Sequence, residues 1–432
     1  MRLKGRILLE IYVVQIGDNL YAIARRFDVS MDDLIYANQL QNPSVLSVGQ
    51  ALVIPREETT HTVRQGETLY SIARNYGISL QSLLGVNPQI SDPSRIYPGQ
   101  IINIPTSNQN LGEIIVNGYI TDATDSTLNA TLPYLTFLSP FSYRSDIRGN
   151  LTPTFNVNIE LSAGQRVANL MTVTNLRAQG GFSSDIAHAI FTDLTVQNTF
   201  LGNVETLLAQ NGYYGVNVDF EYVYPYDRQS YNQFLRRLTD RMHELGYIVV
   251  TALAPKLSDQ QQGLLYTAHD YAFHGQTADY VVLMTYEWGY TYGPAMAVSP
   301  INMVQRVLNY ATEVMPAGKI LMGVPNYGYN WTLPFVQGTA ARPLTNVAAV
   351  TLAGQVRANI QFDPTAQAPF FRYYDGDGRQ HEVWFEDARS LQAKYALVNA
   401  YGLAGISYWN LNNLFRTNFL VLESMYSIEK VL

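Results

Sequence analysis

The sequence predicts an α/β protein: a (β/α)8 barrel of about 320 residues, preceded by two small strand–helix–helix–strand modules. Three observations carry this reading. A segment near the start of the chain repeats at an offset of 49 residues. Beyond a short polar stretch, eight apolar strand-like runs alternate with amphipathic stretches of helical period. One of those runs ends in two carboxylates placed two residues apart, Asp219 and Glu221.

The repeat aligns Tyr12–Arg25 (YVVQIGDNLYAIAR) with His61–Arg74 (HTVRQGETLYSIAR), and then Val48–Pro55 (VGQALVIP) with Pro98–Pro105 (PGQIINIP). Within each unit Leu20, Ile23 and Phe27, or Leu69, Ile72 and Tyr76, have helical spacing, and an alternating strand closes the unit at a proline. These motifs resemble LysM domains, over 11–56 and 60–106. The resemblance implies binding of glycans that contain N-acetylglucosamine, chiefly peptidoglycan and chitin. The implied grooves lie between Gly17–Tyr21 and Asn42–Leu46, and between Gly66–Tyr70 and Asp92–Ile96. Gly17, Asp18 and Leu20, with Gly66, Glu67 and Leu69, are the implied glycan-binding positions. Two tandem weak sites prolong residence on a polymer by raising effective concentration.

The polar stretch Thr106–Gly112 contains the linker, 107–112, and the barrel occupies 113–432. Its strand-like runs are 113–120, 135–141, 168–175, 214–221, 248–255, 279–286, 319–326 and 404–409, with helices such as 229–245 and 386–400 between them. A doubly wound open sheet uses the same alternation, so strand count alone does not separate the two. The interval from 326 to 404 is too long for one loop and helix. It carries a helix near 344–357 and strand-like runs at 359–363, 370–374 and 381–385, which predicts a small α+β insertion at about 332–385.

Composition bounds the function. A formal net charge of −7 and a pI of about 5.4 lack the basic footprint that nucleic acid requires. With 47% apolar and 15% charged residues the chain can fill a large core. The absence of cysteine excludes disulfides, thiolate metal sites and cysteine nucleophiles. No signal peptide is read, because Glu10 interrupts the apolar run Ile7–Leu9 and no small-residue cleavage site follows. Asn399, Gly402, Gly405, Asn410, Asn412 and Asn413 break up the uncharged stretch 395–415, so membrane insertion is not expected. The six histidines show no metal-ligand spacing, and Asp375–Gly378 reads as a hairpin turn rather than a calcium loop. No metal and no cofactor are called for. Arg236, Arg237 and Arg241 read as a solvated helix face.

The chemistry concentrates in Tyr213–Tyr222 (YYGVNVDFEY). Strand alternation turns Asn217, Asp219 and Glu221 to one side and Val216, Val218 and Phe220 to the other. Two carboxylates in one low-dielectric site raise each other's pKa, which lets one keep a proton near neutral pH and act as a general acid. Neighbours on one strand approach a substrate from the same side. They therefore do not suit a retaining glycosidase whose second carboxylate is the nucleophile; a substrate that supplies its own nucleophile, such as a 2-acetamido oxygen, does suit them.

The same segment resembles the D-x-x-D-x-D-x-E signature of glycoside hydrolase family 18, the chitinase and endo-N-acetylglucosaminidase family. Val281–Trp288 (VVLMTYEW) resembles the family's sixth-strand M-x-Y-[DE], and Gly405–Trp409 (GISYW) its eighth strand. By this resemblance Glu221 is the acid/base, Asp219 orients the acetamido group during formation of an oxazolinium ion, and Tyr286 hydrogen-bonds the acetamido oxygen. Trp409 stacks under the −1 sugar, Met284 and Glu287 line the same subsite, and Asn217 is counted with them as a substrate-binding residue. The chain departs from the signature at Tyr214 and Asn217, which stand where the family has aspartates. An asparagine can hydrogen-bond Asp219 but cannot take a charge.

Two LysM repeats with this barrel, together with Leu253–Lys256 (LAPK), Ala268–Tyr271 (AHDY) and His381–Asp387 (HEVWFED), resemble the cortex-fragment-lytic N-acetylglucosaminidases of spore formers. The resemblance implies hydrolysis of spore-cortex peptidoglycan fragments during germination, location in the spore coat or cortex region, and coat proteins as partners. A chitinase-like hydrolase of N-acetylglucosamine polymers and a non-catalytic glycan-binding coat protein are the competing expectations.

Overall fold

A computed structural model describes residues 8–56, 60–76, 79–90, 92–104, 110–154 and 166–432. Half of the predicted linker, 107–109, and the extreme N-terminus lie outside them. The first module runs strand Leu8–Val13, helices Leu20–Phe27 and Met31–Asn38, and strand Ala51–Arg56, the two strands pairing antiparallel. Asn19 and Ser30 start the helices by accepting hydrogen bonds from Ala22 N and Asp33 N. The second module repeats this with Thr60–Thr62, Leu69–Asn75, Leu80–Gly85 and Ile101–Asn103.

Eight parallel strands then close a barrel: β1 (Glu113–Ile120), β2 (Phe137–Pro140), β3 (Ala168–Thr174), β4 (Gly215–Asp219), β5 (Ile248–Leu253), β6 (Tyr280–Leu283), β7 (Ile320–Pro325) and β8 (Gly405–Trp409). Each pairs with the next, and β8 pairs with β1, which rules out the open sheet. Alternation sorts the side chains into two cores. Ile115, Phe137, Leu170, Val250, Val282 and Leu321 fill the lumen, while Val116, Val173, Val218 and Val249 pack outward under the helices. The helical arginines are not simply solvated. Arg237 donates to Gln197 and Asn198, Arg241 pairs with Glu205 on the preceding helix, and Arg236 lies 5.2 Å over the Phe273 ring. Solvation was expected because sequence alone does not show that the adjacent helix offers acceptors. Among the described residues no helix is long and apolar enough to cross a membrane.

Between β7 and β8 a five-stranded antiparallel sheet stands out from the barrel. It is built from Tyr327–Leu333, Arg342–Thr345, Gln361–Asp363, Ala368–Tyr374 and Gln380–Trp384, with helix Asn346–Gln355. It begins at Tyr327, five residues earlier than expected. Its first strand follows Pro325 with only Asn326 between, so no turn signal separated the two. Asp375–Gly378 forms the hairpin turn, with Asp375 N donating to Arg379 O.

The two modules relate differently to the barrel. Leu9, Ala37 and Val53 of the first belong to the same apolar cluster as Leu391, Phe419 and Leu422 of the barrel helices. The Gln39 carboxamide bridges Leu414 O and Arg416 N, Ile360 N donates to Val48 O at 2.8 Å, and the Arg416 guanidinium stacks 3.8 Å over Tyr36. The second module's core of Val63, Leu69, Ile72, Leu83 and Ile102 is built from its own residues. Gly49 sits at φ +85° where an added Cβ would lie 1.8 Å from the Ile360 carbonyl oxygen; its counterpart Gly99, at φ +88°, faces open space. Gly49→Ala is expected to lower the barrel's own melting transition, at a cost of about 2–4 kcal/mol. Gly99→Ala, which incurs only the backbone penalty of about 1–2 kcal/mol, should leave that transition in place. Scanning calorimetry of both variants checks the contrast.

Candidate active site

The C-terminal ends of the barrel strands enclose a cavity of about 330 Å³ whose walls include Tyr119, Asp219, Glu221, Met284, Tyr286, Glu287 and Trp409. The structure thus brings six of the seven catalytic and substrate-binding candidates together. The seventh, Asn217, lies one layer deeper, fully buried, and does not reach the cavity. This corrects its assignment to substrate contact: two residues along a strand is one layer down the lumen. There it belongs to a polar layer. Asn217 Nδ2 donates to Tyr119 Oη at 2.8 Å and Ser139 Oγ at 3.2 Å, Ser139 Oγ donates to Asn117 Oδ1 at 2.7 Å, and Asn117 Nδ2 donates to Ser407 Oγ at 2.9 Å.

β4 ends sooner than expected. Asp219 still pairs with Thr174 of β3, but Phe220 and Glu221 leave the ladder and Tyr222 turns into the left-handed region at φ +54°. Glu221 nonetheless faces the same cavity as Asp219. β6 likewise stops at Leu283, short of the predicted run 279–286, so Met284 and Tyr286 do not lie on one face of a strand. Two tight turns, Thr285 N to Leu283 O and Tyr286 N to Met284 O, both 2.8 Å, deliver them to the cavity instead. Close approach of β7 makes this possible: a Cβ at Gly323 would lie 2.7 Å from Tyr286 Cε1. Trp409 closes β8 and is braced edge-on by Tyr119 and Phe141, each with ring centroids 5.5 Å away.

Electrostatics separate the carboxyls. Burial pushes Asp219 up to about 7. Glu221 is raised well above the usual glutamate value by burial first, then by Asp219 and Glu287. Glu287 is also raised by burial, against hydrogen bonds from Tyr327 and Tyr329. Burial holds Tyr119 and Tyr286 neutral, so both keep an O–H to donate. One oxygen each of Asn217 and Asp219 is buried without a protein partner. A protonated acid beside an ionisable one, against a neutral tyrosine, can protonate a leaving oxygen and hold a polar substituent at the same time.

Sequence reasoning missed Tyr119, Phe141 and Phe182 in the wall and the two tyrosines on Glu287. Tyr119 was accessible from alternation in β1, which sets it on the face of Asn117. Tyr327 and Tyr329 fell outside the insertion as first bounded. In the modules, Gly17 and Gly66 are exposed turn residues at φ +90° and +84°. Asp18 accepts from Gln15 N and Tyr12 Oη, and Glu67 from Arg64 N and His61. Leu20 and Leu69 are buried in their module cores and present no side chain to a ligand. Ile16, Tyr21 and Tyr70 beside the same loops are 89%, 62% and 67% exposed instead. Four histidines are partnered by carboxylates and two, His269 and His274, are buried; no group of three or more His, Asp or Glu among the described residues could hold a metal.

The profile of glycosyl hydrolases family 18 matches residues 176–413, more than half of the chain, and spans β4, β6 and β8. The chain belongs to glycosyl hydrolases family 18. LysM domains match at 12–55 and 61–105. The chain is 42% identical to the cortical fragment-lytic enzyme of Bacillus subtilis over 98% of its own length and 99% of that protein's. It superposes on the crystal structure of the Bacillus megaterium spore cortex-lytic enzyme SleL with a TM-score of 0.86, at 38% identity, covering 99% and 100% of the two chains. A Chromobacterium violaceum chitinase matches 72% of this chain and 98% of its own, at 26% identity and a TM-score of 0.66. This family 18 glycosidase therefore carries its cavity where (β/α)8 enzymes build active sites, from loops at the C-terminal ends of the strands.

Proposed function

We propose that the protein is a retaining, substrate-assisted N-acetylglucosaminidase that cleaves peptidoglycan, in the form of spore-cortex fragments. One observation carries the mechanism: Asp219 and Glu221 enter one cavity from one strand end, where burial and the neighbouring carboxyls raise the pKa of Glu221. Glu221 donates that proton to the glycosidic oxygen as the C1–O bond breaks. The acetamido carbonyl oxygen of the −1 sugar attacks C1 and forms the oxazolinium ion, its N–H oriented by Asp219 and its oxygen by the Tyr286 O–H. Trp409 provides the floor for the sugar. The Glu221 carboxylate then takes a proton from water, which opens the ring with retention.

The names of the relatives and the two LysM modules support peptidoglycan as the polymer; a place in the spore coat or cortex region, with coat proteins as partners, is part of the same proposal. The chitinase likeness and the aromatic cavity favour a second reading, hydrolysis of chitin-type polymers. Mass spectrometry of borohydride-reduced products from cortex fragments separates them. Fragments ending in reduced N-acetylglucosamine are expected. Release from chitin oligomers alone makes the chitinase reading correct, and release from neither makes the protein a glycan-binding one.

A further inference from the structure

The acid sits where the strand ladder has stopped, so something other than a neighbouring strand must hold its backbone. The peptide joining Phe220 to Glu221 is gripped on both edges by side chains. On one edge, Glu221 N donates to Asn175 Oδ1 at 3.0 Å. On the other, the Phe220 carbonyl accepts from His269 Nε2 at 3.0 Å. Asn175 also holds the next peptide, its Nδ2 donating to Glu221 O at 2.7 Å and to Ser183 O at 3.0 Å. Ser184 Oγ donates to Tyr222 O beyond it.

Both clamps are themselves fixed. Asn175 is fully buried, and its own carbonyl accepts from Ser183 N at 2.9 Å. His269 is 1% exposed, and its Nδ1 accepts from Ala254 N at 2.9 Å, which places the ring proton on Nε2 and aims it at Phe220 O. The buried Lys256 ammonium donates to His269 O at 2.9 Å. Burial holds the imidazole down at about 4, so the ring is neutral and the tautomer persists across the working range.

We propose that Asn175 and His269 are positioning residues for the general acid: they replace the missing strand ladder and set the direction in which the Glu221 carboxyl enters the cavity. The inference rests on the reading of Glu221 as acid. Neither clamp touches substrate, so its loss reorients the carboxyl without removing it. A misplacement of about 1 Å costs about 100-fold in rate. A loosened Glu221 is also better solvated, which lowers its pKa.

Steady-state kinetics on cortex fragments across pH test this with the full chain. For Asn175→Ala, kcat should fall about 30- to 100-fold with KM within about twofold, and the alkaline limb of kcat/KM should move to lower pH. His269→Asn, which keeps an acceptor near Nδ1 and loses the donor, should behave alike. His269→Gln, which can present an N–H near the position of Nε2, should recover most of the rate. A merely structural role lowers the active fraction and leaves the limb where it is. A limb that stays put, or a kcat within threefold of wild type, overturns the proposal while wild type is active and Glu221→Gln is not. Equal activity of wild type and Glu221→Gln overturns the reading of the acid instead. If Asn175→Ala does not fold, the histidine pair decides.

Discussion

Glu221→Gln is expected to lower kcat on cortex fragments by about 1000-fold or more, the upper part of the range for loss of a general acid. Glutamine preserves shape and size, and Glu221's main-chain bonds to Asn175 do not involve its side chain. KM should therefore change little. What disappears is the acidic proton, which wild type holds more tightly than a free glutamate because burial, Asp219 and Glu287 all disfavour the charged carboxylate. The same shift has a stability signature. A carboxyl whose folded pKa is raised contributes no penalty below its unfolded value, about 4.3 for glutamate. As pH rises beyond that, the unfolded chain releases the proton first and the folded state loses ground until the folded pKa is passed. The variant lacks this loss, so its melting temperature relative to wild type should climb from pH 5 to pH 8. A kcat within tenfold of wild type would show that another group is the acid.

Asp219→Asn is the second large effect, with kcat expected to fall about 100- to 1000-fold, the scale seen when one preorganised electrostatic partner of a transition state is removed. Its distinguishing sign lies in the pH profile. Ionised Asp219 helps to raise Glu221, so an uncharged asparagine should move the alkaline limb of kcat/KM to lower pH. Asp219 itself is pushed up to about 7, so its charge is present chiefly above neutrality, and the two profiles should diverge there. Coincident alkaline limbs would mean that the two carboxyls do not interact. Asn217 beneath them cannot relay a charge, which leaves Asp219 as the group that titrates between the acid and the polar layer.

Much of the site was legible because its residues recur at fixed offsets on strands. Asp219 and Glu221, Gly405 and Trp409, and the spacing of Met284 and Tyr286 identify the family and the cavity before any coordinates. What alternation could not state is where each strand stops. Glu221, Met284 and Tyr286 lie beyond the last ladder bond of β4 and β6, and their directions come from Asn175, His269 and Gly323, residues distant in sequence that carry no motif. Asn217 was placed on the right face and the wrong layer, since periodicity counts sides of a strand but not depth below a rim.

The repeat of LysM motifs was similarly complete as a statement about folds. Each unit holds its own caps, turn glycines and apolar spacing, and such local interactions follow from local sequence. The motifs are alike in both units, yet the first module shares its core with the barrel helices and the second keeps its own. That difference rests on pairs such as Gly49 with Ile360 and Gln39 with Arg416, more than 300 residues apart in the chain. The elements, the barrel and the chemical groups were legible from the residues alone, because these depend on period and residue type. Which peptide is held, which carboxyl is raised by its neighbours and which module is docked follow from the closed fold, because burial and long-range contact exist only after the chain has closed on itself.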